Sequence, residues 1–311
     1  MGAPPEIGRA AEGIACPSGM FLSERMGGPE GTDPPGGSGS VSADQRMHGI
    51  GIEFDNYKRN LMVKTRNFDV ELLLLRDDDI PEYVQDGVCD LGFVGANEVF
   101  EQDADVTVLR GLNYGRCRLS IAAPKNGPLQ QATDFEGKTL ATSYPFLTKK
   151  FFEEQGVNVN LVEISGAVEI TPQLEVADAI SDLVSTGGTL RANGLAEMFT
   201  IMESETKLIQ TNKELSPGKQ QLIEKFLVRI DGYQQAKKSR YIMMNAPQDQ
   251  VETIKDIIPS MKSPTIVPLA ETNMVAIHTV IPYNEFWVVM EQLKEAGASD
   301  IVMLPIESMI L

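Results

Sequence analysis

The sequence predicts an α/β protein of two lobes followed by a smaller unit with strand and helix order βαββαβ. Three observations carry that prediction. From Gly51 onward, short apolar runs alternate with amphipathic, helix-like runs. Two of the apolar runs, "CDLGFVGAN" and "ISDLVSTGGT", leave through polar loops containing glycine, the kind of strand exit where α/β sheets hold ligands. The order of elements then changes in the last part of the chain, where two strand-like runs follow one another between two helices.

Residues 1–47 come first and read differently. "GGPEGTDPPGGSGSVS", Gly27 to Ser42, is dense in Gly, Pro and Ser, so it cannot offset its ordering entropy by burial, and disorder is expected. "VELLLLR", Val70 to Arg76, reads as a buried strand. "DDDIPEYVQDG" follows as a short helix with Asp79 as N-cap, Pro81 in the first turn and Gly87 at the stop. "CDLGFVG", Cys89 to Gly95, and "CRLSIAAP" are further strands, and "GKTLATS", "YPFLTKKFFEEQG" and "VNLVEIS" give strand, helix, strand. Such alternation implies mainly parallel sheets.

"VADAISDLVSTGGTLRANG", Val176 to Gly194, holds the chemistry. Ala179, Ile180, Leu183 and Val184 suit a mostly buried strand, interrupted by Asp178, Ser181 and Asp182. Ser185, Thr186, Gly187, Gly188 and Thr189 follow as a turn rich in hydroxyls and backbone N–H groups. Two adjacent glycines let a bulky anion approach the backbone, and a helix starting at Thr189 would favour negative charge, so a phosphate fits here. A plain turn with a threonine N-cap accounts for the same residues, and local chemistry leaves both readings open. The four-residue spacing puts Asp178 and Asp182 on one side of an extended strand, with Asp182 close to the turn. Carboxylates beside a phosphate must bind something else, such as ribose hydroxyls or a divalent metal carried by a pyrophosphate.

In the last unit "RYIMMNA" reads as strand, "PQDQVETIKDII" as a helix opened by Pro247, "SPTIVPLA" and "NMVAIHTV" as strands, "YNEFWVVMEQLKEAG" as helix and "SDIVMLPI" as strand. Phe286 and Trp287 read as core, and His278, on an alternating strand, as structural.

Composition narrows the function. The 311 residues, 42% hydrophobic and 23% charged, are those of an ordinary soluble chain with room for two or three domains. A net charge of −17 argues against nucleic acid and against an anionic membrane surface as partners. Three scattered cysteines, Cys16, Cys89 and Cys117, form no disulfide framework and fit a reducing cytoplasm. Two histidines give little material for a histidine metal centre or a Ser-His-Asp triad. Neither a membrane-length apolar run nor a signal peptide is readable.

The runs "LLLLRDDDIPEYVQDGVCDLGFVG", "CRLSIAAP", "LATSYP", "VADAISDLVSTGGTLRANGL", "GKQQLIEKFLVRI" and "KSRYIMMNAP", in this order, resemble the long form of ATP phosphoribosyltransferase, from about residue 49 to the C-terminus. The resemblance implies two lobes of periplasmic-binding-protein-like topology, lobe I from residues 48–117 and 204–236 and lobe II from 118–203. It implies a ferredoxin-like regulatory domain, 237–311, that binds histidine as an inhibitor, and a homo-oligomer built from dimers to a hexamer. The implied reaction is attack of N1 of ATP on C1 of 5-phosphoribosyl 1-diphosphate, with Mg2+ and release of pyrophosphate. Ser185, Thr186, Gly187, Gly188 and Thr189 match the 5-phosphate loop, Asp178 and Asp182 the strand leading into it, and Glu169 in "SGAVEI" a segment near the ribose. Arg76, Asp78 and Gly95 fall at the nucleotide cleft, and no protein ligand to the metal is assigned.

The chain departs from the family at three places. The opening strand and Lys-Ser-Gly-Arg-Leu loop are not readable; "SGSV", Ser38 to Val41, puts Ser40 where the arginine belongs. Ala96 stands where an acidic residue usually follows the glycine, and Gly188 where alanine is common. Losing the basic loop removes charge complementary to phosphate, which raises two alternatives: an impaired histidine-binding or interaction subunit of the same family, or a plain solute-binding module.

Overall fold

The structure, a computed structural model, describes residues 22–23, 47–55, 62–258, 263–271 and 273–310. Contacts divide the chain into two compact units, residues 1–43 with 54–215 and residues 44–53 with 216–311.

The first unit contains two groups of strands. In chain order the first group has β1 (Leu22–Ser23), β2 (Met62–Lys64), β3 (Glu71–Leu75), α1 (Ile80–Gln85), β4 (Leu91–Gly95), α2 (Ala96–Glu101) and β5 (Val106–Gly111). The chain then enters a second group: β6 (Cys117–Pro124), β7 (Thr139–Thr142), α3 (Pro145–Glu154), β8 (Asn160–Glu163), β9 (Ala179–Val184), α4 (Gly188–Ala192) and β10 (Leu195–Ser204). It returns through β11 (Thr206–Thr211), which pairs with both β4 and β5. The chain therefore crosses between lobes twice, at residues 112–116 and at Glu205.

The sheet of the second lobe has the order β10-β6-β9-β7-β8, and the first lobe holds the sheets β4-β11-β5 and β1-β3-β2. The expectation of mainly parallel sheets is corrected here. Only β1 with β3, β7 with β8 and β7 with β9 run parallel; the pairs made by β2, β6, β10 and β11 are antiparallel. For β6, β10 and β11 the physical reason is the double crossing, which makes the connecting strands run against the strands they join; β2 and β3 are neighbours joined by the short link 65–70.

β9 is buried on both faces. Ala179 packs with Ile121, Phe135, Leu140 and Phe152 on one side, while Ile180 and Val184 pack with Ala122, Val168, Leu190 and Leu195 on the other. Helix α1 starts as its sequence requires, with Asp79 at the N-cap position and proline in the first turn, and Gly87 just beyond it takes φ 71°. The Asp79 side chain makes no capping hydrogen bond there.

The disorder expected for residues 1–47 falls almost wholly outside the described residues. Leu22 and Ser23 are within them and form a strand, although no strand is readable there in the sequence. Leu22 pairs with Leu74 and Ser23 with Leu75 in parallel register, filling an edge that β3 would otherwise leave open. Two residues are too few to show a strand period, which is why the sequence conceals them.

The second unit contains α5 (Pro217–Lys238), β12 (Ser239–Pro247), α6 (Val251–Ile257), β13 (Thr265–Pro268), β14 (Met274–Pro282), α7 (Phe286–Glu295) and β15 (Ser299–Pro305). Helix α5 groups with this unit, together with residues 44–53, rather than with the lobe to which the sequence reading assigns residues 204–236. Its contacts explain the grouping: Arg229 donates to the Gly51 carbonyl at 2.9 Å and Met309 N–H to the Gly232 carbonyl at 3.0 Å. Strands β13-β14-β12-β15 form one antiparallel sheet in that order. Ile242, Met244, Ile254, Ile277, Ile281, Phe286 and Leu293 form its core. Trp287 is a correction. It is 65% exposed, because α7 turns Phe286, Val289 and Leu293 toward the sheet at three- and four-residue spacing and the adjacent position falls outside that stripe. His278 accepts from or donates to the Tyr241 hydroxyl at 2.9 Å, on the sheet face away from the core. No helix among the described residues is long and apolar enough to cross a membrane.

Ile277 is fully buried at the middle of β14. Ile277→Ala is expected to cost about 2–5 kcal/mol of stability. Chemical denaturation followed by the fluorescence of Trp287, the single tryptophan, measures it.

Candidate active site

The site is built around the exit of β9. Gly187 caps α4 with φ 71° and ψ 13°, a conformation that side-chain-bearing residues rarely adopt. Ser185, Thr186, Gly188 and Thr189 are exposed around it. A Cβ on Gly188 would meet only Thr186 Oγ1 at 3.6 Å, an ordinary contact, so alanine is sterically acceptable at that position. The two glycines are therefore not equivalent.

Asp182 lies on β9 opposite Ser120 of β6, and its carboxylate accepts from the Leu183 N–H at 2.7 Å. Glu169 sits on a short 3₁₀ turn, Val168–Ile170, whose Val168 is buried in the same cluster as Ile180, Val184 and Leu190. That anchor brings Glu169 to the face of the sheet that carries the loop. Asp178 is not brought there. It precedes β9, and the strand's six residues separate it from the loop by roughly 20 Å. Its carboxylate accepts from the Thr139 N–H at 2.9 Å and lies 3.4 Å from Lys138 Nζ.

Two charged residues that the sequence reading left aside lie beside the loop. Arg118, at the start of β6, meets Glu197 of β10 through Nε and Nη2 at 2.5 and 2.6 Å, and its Nη1 donates to the Ser185 carbonyl at 3.2 Å. Ser120 Oγ adds a bond to Glu197 at 2.9 Å. The Arg118 hydrogen bonds, above all, hold the Glu197 carboxyl below the usual range. An arginine inside the otherwise apolar "CRLSIAAP" strand is the signal that could have been used, since a charge on a buried strand needs a partner.

The first lobe faces this region through α2. Gly95, its N-cap, is required by the side chain of Asn97, whose Oδ1 would lie 2.4 Å from a Cβ there. Ser204, at the last residue before the second crossing, donates to that Oδ1 at 2.7 Å. Ala96 is buried, 4% exposed, and its N–H donates to the Glu205 carbonyl at 3.1 Å, so the residue after the glycine packs at the crossing. Glu98 accepts from the Tyr144 hydroxyl at 3.0 Å, and Glu101 accepts from the N–H groups of Phe146 and Leu147 at 2.7 and 3.0 Å. Thus Glu101 caps the N-terminus of α3 in the other lobe, and Glu98 holds the Tyr144 side chain just before that helix. Burial raises the pKa of both, and for Glu98 the nearby Asp77, Asp78 and Glu101 add to the rise. Burial and Glu98 push the Tyr144 phenol far upward, with a further push from Asp182, so it remains a donor. Arg76 and Asp78 are exposed in the turn between β3 and α1, and the Asp78 carbonyl accepts from Gln102 at 2.5 Å.

Comparison with known proteins accords with this arrangement. The sequence profile described as ATP phosphoribosyltransferase matches residues 76–232, and that of the C-terminal domain of the same family matches residues 236–308. The chain belongs to the ATP phosphoribosyltransferase family. A protein of that name from Bacteroides thetaiotaomicron is 44% identical over 260 residues, 84% of this chain and 92% of the relative. Another, from Bacteroides fragilis, is 43% identical over the same shares. Among solved structures, a chain of the ATP phosphoribosyl transferase (HisG:HisZ) complex from Thermotoga maritima superposes with TM-score 0.55 at 20% identity, covering 69% of this chain and 98% of that one. At that identity the superposition speaks for the fold. The profile boundary at residues 232–236 falls within the last turns of α5, whereas the contacts of this ATP phosphoribosyltransferase family member divide it before that helix.

Because the pKa of Glu98 is raised by folding, the folded state binds its proton more tightly than the unfolded state does. Its contribution is full below the unfolded pKa and is lost as pH rises through the folded value. Glu98→Gln is expected to remove that component, flattening the decline of melting temperature above the ordinary glutamate range. Melting curves across pH for both proteins measure it.

Proposed function

We propose that this chain transfers the 5-phosphoribosyl group from 5-phosphoribosyl 1-diphosphate to N1 of ATP, releasing pyrophosphate. The observation that carries the reading is the exposed loop at residues 185–189, turned by a left-handed Gly187 at the exit of a doubly buried strand, beside Asp182. Family membership supplies the reaction.

The chemistry assigned to each group follows from its charge and place. The loop holds the 5-phosphate through N–H groups and hydroxyls. Asp182 and Glu169 face the ribose, where carboxylates bind hydroxyls and tolerate positive charge developing at C1 as the bond to pyrophosphate breaks and the bond to N1 forms. Asp178, tied to Lys138 and Thr139, serves the start of β9. Arg76, Asp78 and Gly95 border the nucleotide side. Asp182 and Glu169 are hard oxygen donors suited to Mg2+, which would arrive on the phosphate oxygens of the substrate. When bound, Mg2+ would take up the charge of the departing pyrophosphate.

Finer features of the fold belong to the same proposal. The two crossings support a periplasmic-binding-protein-like pair of lobes. The antiparallel order β13-β14-β12-β15 with helices after β12 and β14 supports a ferredoxin-like unit within residues 237–311. We assign that unit to histidine inhibition and to assembly of a homo-oligomer, dimer to hexamer, in the cytoplasm.

Thr189→Ala is expected to weaken 5-phosphoribosyl 1-diphosphate by about 1–3 kcal/mol through loss of a hydroxyl bond to a charged group, with Gly187→Val worse. Calorimetry with Mg2+ reads both, and unchanged affinities would remove the loop assignment. Pyrophosphate release from ATP and 5-phosphoribosyl 1-diphosphate tests the reaction. Absence of release from a folded chain that still binds histidine would favour the impaired-subunit alternative. Histidine is expected to raise the melting temperature; no shift would remove the regulatory assignment.

A further inference from the structure

We infer that Arg118 and Arg191 are positioning residues that draw the carbonyl groups of the phosphate loop away from the ligand, leaving its N–H groups to face the anion. The inference rests on the reading of residues 185–189 as the 5-phosphate loop. A tight loop carries as many carbonyl acceptors as N–H donors, and a carbonyl oxygen turned toward a phosphate repels it. In this loop the two leading carbonyls are both occupied. Arg118 Nη1 donates to the Ser185 carbonyl at 3.2 Å, and Arg191 Nη1 donates to the Thr186 carbonyl at 3.1 Å. Two guanidinium groups thus hold consecutive carbonyls, one from the sheet and one from α4.

Each arginine is itself set by its surroundings. Glu197 takes Nε and Nη2 of Arg118 in a two-pronged pairing and is steadied by Ser120 and, at 3.4 Å, Thr200. With its charge neutralised and two of its nitrogens committed, Arg118 acts as a brace between sheet and loop. Arg191 reaches back over Gly187, four residues earlier. A Cβ on Gly187 would stand 3.2 Å from Arg191 Nη1, so the glycine supplies both the left-handed turn and the room for this guanidinium.

The test uses the full chain and ribose 5-phosphate, a probe that carries the 5-phosphate without the pyrophosphate. Arg118→Met and Arg191→Met are each expected to raise its dissociation constant about tenfold or more, the effect of removing a hydrogen bond made by a charged group. KM for 5-phosphoribosyl 1-diphosphate should rise in parallel while KM for ATP stays near the parent value. Glu197→Gln separates a brace from a direct ligand. A brace predicts weaker binding, in the same direction as Arg118→Met, because the guanidinium loses its anchor. A phosphate ligand predicts tighter binding, because its charge is no longer neutralised, and that result would overturn the inference. Arg191 is exposed, so its variant remains informative even where Arg118→Met melts too low to study. Gly187→Val is the control on the underlying reading. If it abolishes binding while Arg191→Met leaves binding unchanged, the positioning role fails and the loop assignment stands. Unchanged binding in Gly187→Val would remove both.

Discussion

A strand buried on both faces can meet a ligand only at its ends, and β9 is such a strand. Its apolar side chains are committed to the clusters around Phe152 on one side and Leu190 on the other. The polar residues it carries must therefore find partners on the elements packed against the sheet or lie at the rim. Ser181 takes the first course, accepting a hydrogen bond from Thr148 at 2.8 Å. Asp182 lies two residues before the strand ends, and Asp178 precedes its start. Which carboxylate belongs with the loop is thus decided by the direction of the strand. Gly187 completes the constraint, since the chain must reverse within a few residues and only a left-handed turn returns Leu190 to the core.

The junction between lobes follows from a different economy. Glu98 and Glu101 are partly removed from water, which raises their pKa values, with Asp77 and Asp78 adding to the rise of Glu98 and Glu163 to that of Glu101. The N-terminus of α3 and the Tyr144 hydroxyl offset that cost by donating to them. Asn97 and Ser204 tie the same helix to the point where the chain crosses back. Carboxylates in this place couple α2 of one lobe to α3 of the other more specifically than apolar contacts would, because hydrogen-bonded groups fix direction as well as proximity.

Particular residues show how far the sequence could be read. Short apolar runs gave β3, β4, β6, β7 and β9 nearly to the residue, because strands buried on both faces carry little polar sequence. β10 and β11 went unread. Their burial is partial along most of their length, and register shifts in their pairing break the alternation. Trp287 was misplaced since hydrophobicity reports a preference for burial, while the helix phase decides which of two neighbours receives it. In the site, the loop was legible from composition alone. Arg118 and Glu197, 79 residues apart, were not, because their pairing exists only where β6 and β10 lie side by side.

The sequence by itself determined the family, the α/β class, the βαββαβ order of the last unit and the loop at residues 185–189, since each is written in local period or in contiguous residues. Tertiary structure alone decided that the sheets are mostly antiparallel, that Leu22 and Ser23 close an edge of β3, and that two arginines hold the loop's carbonyls. Those outcomes depend on strand direction and on which distant segments become neighbours. Both are settled when the chain packs, and neither leaves a trace in the spacing of residues along it.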